Sequence, residues 1–401
     1  MRYAVETANK RPRLVFREND KRLLLTLAKA RRDLRAKRLG EDFGARRLIA
    51  IENFEGRRLS KWMFAIHDLP EMTKINLACR LFWAAVLCFA IATGARAQDL
   101  CEAPVKIERK GRALARLDDY RPIFRECRSG ARAKKLAIRE MKVNGASLLL
   151  VADPSTLETS LERASCWSCE ETTEDIQKDT RFMRALRAAR VERPPPRNGA
   201  LFNGGLIHGA GGGAFLTGDL CPSRRPLDRK FFEQLADMGK GTPVALAVAG
   251  QWIARHGAEF DWLQEKARSG ALDISWVNHS YHHPYVHGRA DAHTYLLTPG
   301  VDLDKEILDT ERILVAHGAT PSAFFRFPGL MSDAALMEKL ARYHLIALGA
   351  ENWLVLSPAP TAGSILLVHP NGNEPEGLRL FSKLLREGKM PQPFRAITQA
   401  P

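Results

Sequence analysis

The 401-residue chain has no uncharged apolar run that reaches the roughly 20 residues of a comfortable transmembrane helix. With 27% charged residues it is neither a multi-span membrane protein nor generically disordered, and 45% apolar residues suffice for a sizeable core. No G-x-S-x-G elbow is present, so nothing marks a serine hydrolase of the strand–turn–helix type. The glycine-rich stretch His208 to Gly213 lacks both the Lys-Ser/Thr of a P-loop and the G-x-G-x-x-G spacing. Its glycines are expected to let backbone pass close to a substrate or another strand. The C-W-S-C at 166–169 has no second Cys-x-x-Cys pair, so redox or zinc chemistry there lacks its usual context, and a structural disulfide or plain thiols are expected.

Residues 72–97 have no acids at all. The formal net charge of +15 is uneven: 1–71 hold 18 Lys+Arg against 10 Asp+Glu, 72–97 add three basic residues, and 98–401 hold 40 against 36. The near balance of the long third part opposes the nucleic-acid partner that the total charge suggests. Within 72–97, Lys74 and Arg80 precede an apolar run from Leu81 to Ala92, and Ala95-Arg96-Ala97 stands before Gln98. This is the three-part layout of a signal peptide, and no lipobox precedes Cys88 or Cys101. The chain is therefore expected to be exported, periplasmic or extracellular, with no stable membrane span after cleavage. Residues 1–71 are expected to be a basic extension before the real start at Met72; the rival is a basic cytoplasmic tail before a signal anchor. Cys101, Cys127, Cys166, Cys169 and Cys221 then remain. Export permits disulfides among them, and the odd number leaves at least one thiol unpaired or paired between chains.

Residues 98–192 read as a smaller α/β accessory region, with one strand candidate at 146–151 and helical segments such as 174–190. R-P-P-P-R-N-G opens a Pro/Gly-rich linker over 193–213. From 214 to 396 short apolar runs (214–217, 244–249, 274–277, 323–327, 345–348, 365–368) alternate with helical patterns near 229–238, 258–269, 302–317, 333–342 and 376–387. Such alternation predicts a parallel α/β barrel or open sheet, with chemistry at the C-terminal strand ends.

Four motifs sit at those ends. N-H-S-Y-H-H-P-Y, 278–285, places His279 and His283 four residues apart, able to converge on one metal if the loop makes a single helical turn. Imidazole suits zinc and similar divalent ions; His282, His287 and His293 read as bystanders. F-L-T-G-D-L-C-P, 215–222, offers Asp219 as metal ligand or general base. F-F-R-F-P-G, 324–329, offers Arg326 to orient a carboxylate. In G-S-I-L-L-V-H-P-N-G, 363–372, strand alternation puts Ile365, Leu367 and His369 on one face. Glu351-Asn352-Trp353 ends the stretch before it.

On these motifs residues 214–387 resemble the polysaccharide deacetylase domain (NodB-type, carbohydrate esterase family 4). The metal motif His-Ser/Thr-x-x-His appears as H-S-Y-H-H, Arg-x-Pro as Arg326 to Pro328, and Leu-x-His as Leu367 to His369; Glu351 and Trp353 match the acidic-then-Trp motif loosely. The resemblance implies a distorted (β/α) barrel of about seven strands. It also implies a divalent metal, zinc first, on His279 and His283, and a hydrolase that removes N-acetyl groups from a polysaccharide or oligosaccharide. Asp219, oriented by Arg326, would be the base, His369 the acid to the leaving amine, and Leu367 with Trp353 the acetyl-methyl pocket. One motif departs from the family. T-F-D-D-G-P is here T-G-D-L-C-P, so in ungapped register Asp219 takes the base position and Leu220 replaces the metal-binding Asp. A one-residue shift would bring Asp219 to the metal instead. The departure motivates an alternative, a non-catalytic glycan-binding member of the same family.

Overall fold

The computed structural model describes residues 101, 103–109, 111, 113–130, 134–190 and 200–401. The expected extension 1–71, the expected signal peptide 72–97 and the proline run of the expected linker lie outside the described residues.

The accessory region is a five-stranded antiparallel sheet: β1 (Leu117–Arg128), β2 (Lys135–Val143), β3 (Ala146–Ala152), β4 (Thr159–Arg163) and β5 (Ser168–Glu171), in the order β4-β3-β2-β1-β5. Asn144 and Gly145 join β2 to β3 with φ of 50° and 82°, the double positive φ of a tight hairpin turn. The sheet is richer in strands than the single candidate at 146–151. The helix expected over 174–190 is shorter: α1 (Arg181–Ala189) starts where the Thr180 side chain accepts from the Met183 amide, and buries Phe182, Met183 and Leu186. The C-W-S-C cysteines do not pair with each other. Cys127 on β1 bonds Cys169 directly opposite on β5, and Cys101 bonds Cys166.

After β6 (Leu201–Phe202) come seven all-parallel strands: β7 (Phe215–Leu220), β8 (Thr242–Val248), β9 (Leu272–Asn278), β10 (Pro321–Phe325), then, beyond β11 (Met331–Ser332), β12 (Ile346–Ala347), β13 (Asn352–Trp353) and β14 (Ile365–Val368). Their order is β12-β10-β9-β8-β7-β14-β13; β6 and β11 form a separate antiparallel pair. Helices α2 (Arg229–Asp237), α3 (Gly250–Arg255), α4 (Gly257–Arg268), α5 (Leu303–Ala316), α6 (Ala334–Arg342) and α7 (Pro375–Arg386) alternate with them. This is the expected distorted (β/α) barrel. The sequence reading located six of its seven strands; two-residue β13 and six-residue α3 were not expected.

Strand alternation makes two apolar layers. Phe215, Ala245, Ala247, Val277, Ile365 and Leu367 join the inner core. Leu216, Leu220, Leu246, Val248, Leu366 and Val368 pack outward with Phe232, Phe260 and Phe381 of the helices. Strands β12 and β13, at opposite sheet edges, do not pair. The segment 206–208 fills the gap: Leu206 N–H donates to the Ala347 carbonyl at 2.9 Å, Glu351 N–H to Ile207 at 3.1 Å, and Gly209 N–H to Gly363 at 2.8 Å. The glycines that follow serve close backbone approach. A Cβ on Gly209 would lie 2.3 Å from the Phe215 ring; one on Gly213, whose φ is +80°, would lie 2.2 Å from the Pro393 carbonyl oxygen.

The accessory sheet is anchored to the barrel by a buried ion pair. Arg139 of β2 donates from Nε (2.7 Å) and Nη2 (2.9 Å) to Glu311 of α5, and neither side chain is exposed. Nearby, the His344 ring stacks on Phe124 with centroids 3.8 Å apart. Burial, with the charges of Arg139 and Arg190, pushes His344 down to about 3. Its stabilising effect is thus complete above the unfolded imidazole value of 6.5 and lost as pH falls toward 3, at up to about 1.4 kcal/mol per pH unit. His344 has a φ of 55°, which Asn tolerates. Urea titrations between pH 7 and 4 should show His344→Asn losing less stability on acidification than wild type; parallel curves would contradict this.

Candidate active site

The C-terminal ends of β7, β9, β10 and β14 bring the motif residues together. Asp219 (3% exposed) is the last inward-facing residue of β7. Arg326, fully buried just past β10, donates from Nη1 to Asp219 Oδ1 at 2.8 Å and to Thr217 Oγ1 at 2.6 Å, and from Nη2 to the Gly349 carbonyl at 2.8 Å. A planar guanidinium can meet all three at once, so the expected orienting contact is present and fixes one carboxylate oxygen. The other, Oδ2, lies 3.5 Å from His279 Nε2.

His279 is buried at the end of β9. Its Nδ1 is 2.9 Å from the Arg326 carbonyl. A carbonyl only accepts, so Nδ1 carries a proton, and in the neutral ring Nε2 is the nitrogen that keeps a lone pair. The ring of His283 stands 4.8 Å away. The rings converge, but not through the expected helical turn. Ser280 and His283 take φ of 62° and 50°, and the His283 amide donates to Ser280 Oγ at 3.1 Å. What holds this irregular loop is Glu306 of α5, which was not singled out from the sequence. Its buried carboxylate accepts from the Tyr281 and His282 amides, both at 2.9 Å, and lies 2.7 Å from His282 Nδ1. His282 therefore belongs to the scaffold of the loop.

His369 follows β14. Its Nδ1 lies 3.1 Å from Glu374, whose two oxygens also accept from the Trp353 indole at 3.0 Å. The acidic partner of Trp353 is thus Glu374. Glu351, the acidic residue of the loosely matched motif, bonds His208 and Ser364, each at 2.7 Å. Leu367 is buried in the inner core below His369, and Trp353 flanks that imidazole with ring centroids 5.3 Å apart.

Leu220 does not face these groups. It is fully buried in the outer layer between sheet and helices. Continuing the β7 alternation, it is Cys221 that turns inward, with Sγ 3.4 Å from His279 Nε2. The sequence reading counted this cysteine but assigned it no place in the site. Burial alone would raise its thiol, but the charges of His283 and His279 and the hydrogen bond to His279 hold it well below the usual thiol value. Burial would likewise lower His369, yet hydrogen bonds to Cys221 and Glu374 and the charges of Cys221 and Asp219 push it up to about 10.

No family model matches the chain. Solved structures align with about half of it. A Streptomyces lividans esterase in complex with acetate aligns at 22% identity over 45% of this chain and 91% of its own, with a TM-score of 0.32. A Bacillus anthracis esterase aligns at 19% identity over 49% and 87%, TM-score 0.36. Both are family 4 carbohydrate esterases. A pseudoenzyme of that family, from Bacillus anthracis, aligns at 16% identity over 48% and 66%, TM-score 0.33. Function therefore rests on the chain's own residues.

Proposed function

We propose that the protein is an exported, metal-dependent deacetylase that hydrolyses N-acetyl groups of a polysaccharide or oligosaccharide. The observation that carries this reading is the meeting, at one end of a parallel barrel, of two adjacent imidazoles with an arginine-held carboxylate and a third histidine. The donor set fits a divalent ion. His279 Nε2 has its lone pair, and His283 Nε2 is buried with no hydrogen-bond partner, an orphan that a ligand would relieve. His279 and His283 would hold the ion, and imidazole chemistry favours zinc. A metal bound there supplies Lewis-acid polarisation of the acetyl carbonyl and acidifies water to a nucleophile near neutral pH.

The chain's own residues supply the rest. Asp219 has Oδ1 tied to Arg326 and Oδ2 directed toward His279, so Oδ2 is placed to accept the proton of the attacking water. His369, braced by Glu374, hands a proton to the leaving nitrogen. Trp353 and Leu367 enclose the acetyl methyl. The products are a free amine and acetate. The two disulfides support export, and among the described residues no helix is long and apolar enough to cross a membrane.

The test is acetate release from N-acetylated glycans by the purified protein, with and without chelator. Chelator-sensitive release is expected; silence on every glycan, metal bound or not, would replace this reading with the non-catalytic one. Glu306→Ala frees the two amides that shape the metal loop, and loss of such an outer partner should weaken metal binding by ~10–100-fold. Competition with a chromophoric zinc chelator measures it; unchanged affinity would show that the loop holds its shape without Glu306.

A further inference from the structure

The reading above leaves Cys221 unused, although it stands beside both imidazoles. Cys101, Cys127, Cys166 and Cys169 are all in disulfides; Cys221 is the free thiol among the described residues. Its sulfur, a His279 nitrogen and a His283 nitrogen all lie within 4.8 Å of one another. Atoms bound to one tetrahedral zinc at about 2.3 Å (sulfur) and 2.0–2.1 Å (nitrogen) stand about 3.5 Å apart. The 3.4 Å between Cys221 Sγ and His279 Nε2 already meets that spacing. The position is also fixed: the buried Asn371 side chain donates to the Cys221 carbonyl at 2.8 Å. His279 is held in the ligating tautomer by the Arg326 carbonyl, and His283 Nε2 is buried without a partner. Sulfur and two ring nitrogens thus converge at one end of the barrel.

We infer that Cys221 is the third protein ligand of the metal centre, as a thiolate completing a Cys-His-His site. This rests on the reading of His279 and His283 as ligands. Three protein ligands leave one position open, the arrangement of a catalytic rather than a structural zinc site. A thiolate also sets the selectivity: it favours zinc and cobalt(II) over magnesium and manganese. Leu220 has no part in it, because its side chain lies in the outer apolar layer.

Cobalt(II) reports sulfur ligation directly. Titrating the metal-free protein with cobalt(II) chloride should give an intense sulfur-to-cobalt charge-transfer absorption in the near ultraviolet, saturating at one ion per chain. Cys221→Ser should abolish that band and weaken zinc binding by ~100-fold or more, since loss of even an outer-shell partner costs 10–100-fold. Cys221→Asp, which restores a charged ligand, should recover much of the zinc affinity without the band and shows that any loss is not misfolding. Zinc should also slow alkylation of Cys221 in the wild-type protein. Cobalt bound without the band, zinc affinity unchanged in Cys221→Ser, alkylation indifferent to zinc, or no metal bound at all would each overturn the inference. Acetate release without sulfur ligation would remove this inference and spare the deacetylase reading; a cobalt–sulfur band in a protein that releases no acetate would do the reverse.

Discussion

Asp219→Asn should lower the turnover rate of acetate release on the order of 10²–10⁴-fold with little change in KM. Asn keeps the shape of the side chain and one oxygen to accept from Arg326, but it cannot take up a proton. Because the substitution removes a group whose work is done only during proton transfer, the loss belongs in kcat. The variant has a second, separable effect. Arg326 is fully buried, and Asp219 is its charged partner at 2.8 Å. Removing one charge of a buried pair leaves the other uncompensated, so the melting temperature should fall too. Rates must therefore be compared well below the transition, per folded molecule. Arg326→Lys probes the same contact from the other side. A point charge cannot reach Thr217, Asp219 and the Gly349 carbonyl together, so kcat should fall while the carboxylate itself remains. A kcat unchanged in Asp219→Asn would remove Asp219 as the base and leave the one-residue-shifted role, metal ligation, which the zinc affinity of the same variant tests.

Much of the barrel is legible in the sequence because its strands are buried on both faces. A parallel strand covered by helices reads as an unbroken apolar run, as in Val244 to Val248 or Ile365 to Val368. The accessory sheet is not legible in that way. Strand β2 reads KLAIREMKV, and its Arg139 is a charge hidden in the core, opposed by Glu311 far along the chain. Nothing local shows that such an arginine points inward. The Asn144-Gly145 pair between two strand-like segments was the signal that could have revealed the hairpin.

The site divides along the same line. Its imidazoles, its arginine and its carboxylate follow recognisable apolar runs, so the strand ends announce them. The groups that shape them do not. Glu306 reaches the metal loop from a helix more than 20 residues on, and Glu374 reaches Trp353 from across the β14 loop. Cys221 was visible as the odd cysteine. Its direction depended on the parity of β7, which sends Leu220 outward and the next side chain in. Parity was applied to β14, where it placed Leu367 correctly in the inner layer; the same rule applied to β7 would have brought the thiol into the site.

Glu311→Ala should cost about 3–5 kcal/mol of folding free energy, the usual penalty for breaking a buried ion pair from one side. Arg139 and Glu311 are both inaccessible to solvent, and Tyr120 Oη also donates to Glu311 at 2.9 Å. Without the carboxylate, Arg139 retains the Ile138 carbonyl at 2.7 Å, the Tyr343 carbonyl at 2.8 Å and the face of the Tyr343 ring. These do not neutralise its charge, and water cannot reach it. Replacing both partners by apolar residues, Arg139→Met with Glu311→Leu, should restore most of the loss, because it removes the desolvated charges together. Urea denaturation with disulfides intact, read by tryptophan fluorescence, distinguishes these outcomes. A single-variant loss below about 1 kcal/mol would mean that the pair is not buried as described. The position of the pair gives the experiment a functional reading as well. At 3.6 residues per turn, Glu306 and Glu311 lie about 140° apart around α5. One face of this helix thus grips the accessory sheet, and another shapes the loop that carries His279 and His283. Loosening the Glu311 end should therefore loosen zinc binding along with the fold, and the apolar double variant should recover both. Recovery of stability without recovery of zinc affinity would separate the two faces and confine the accessory sheet to a structural role.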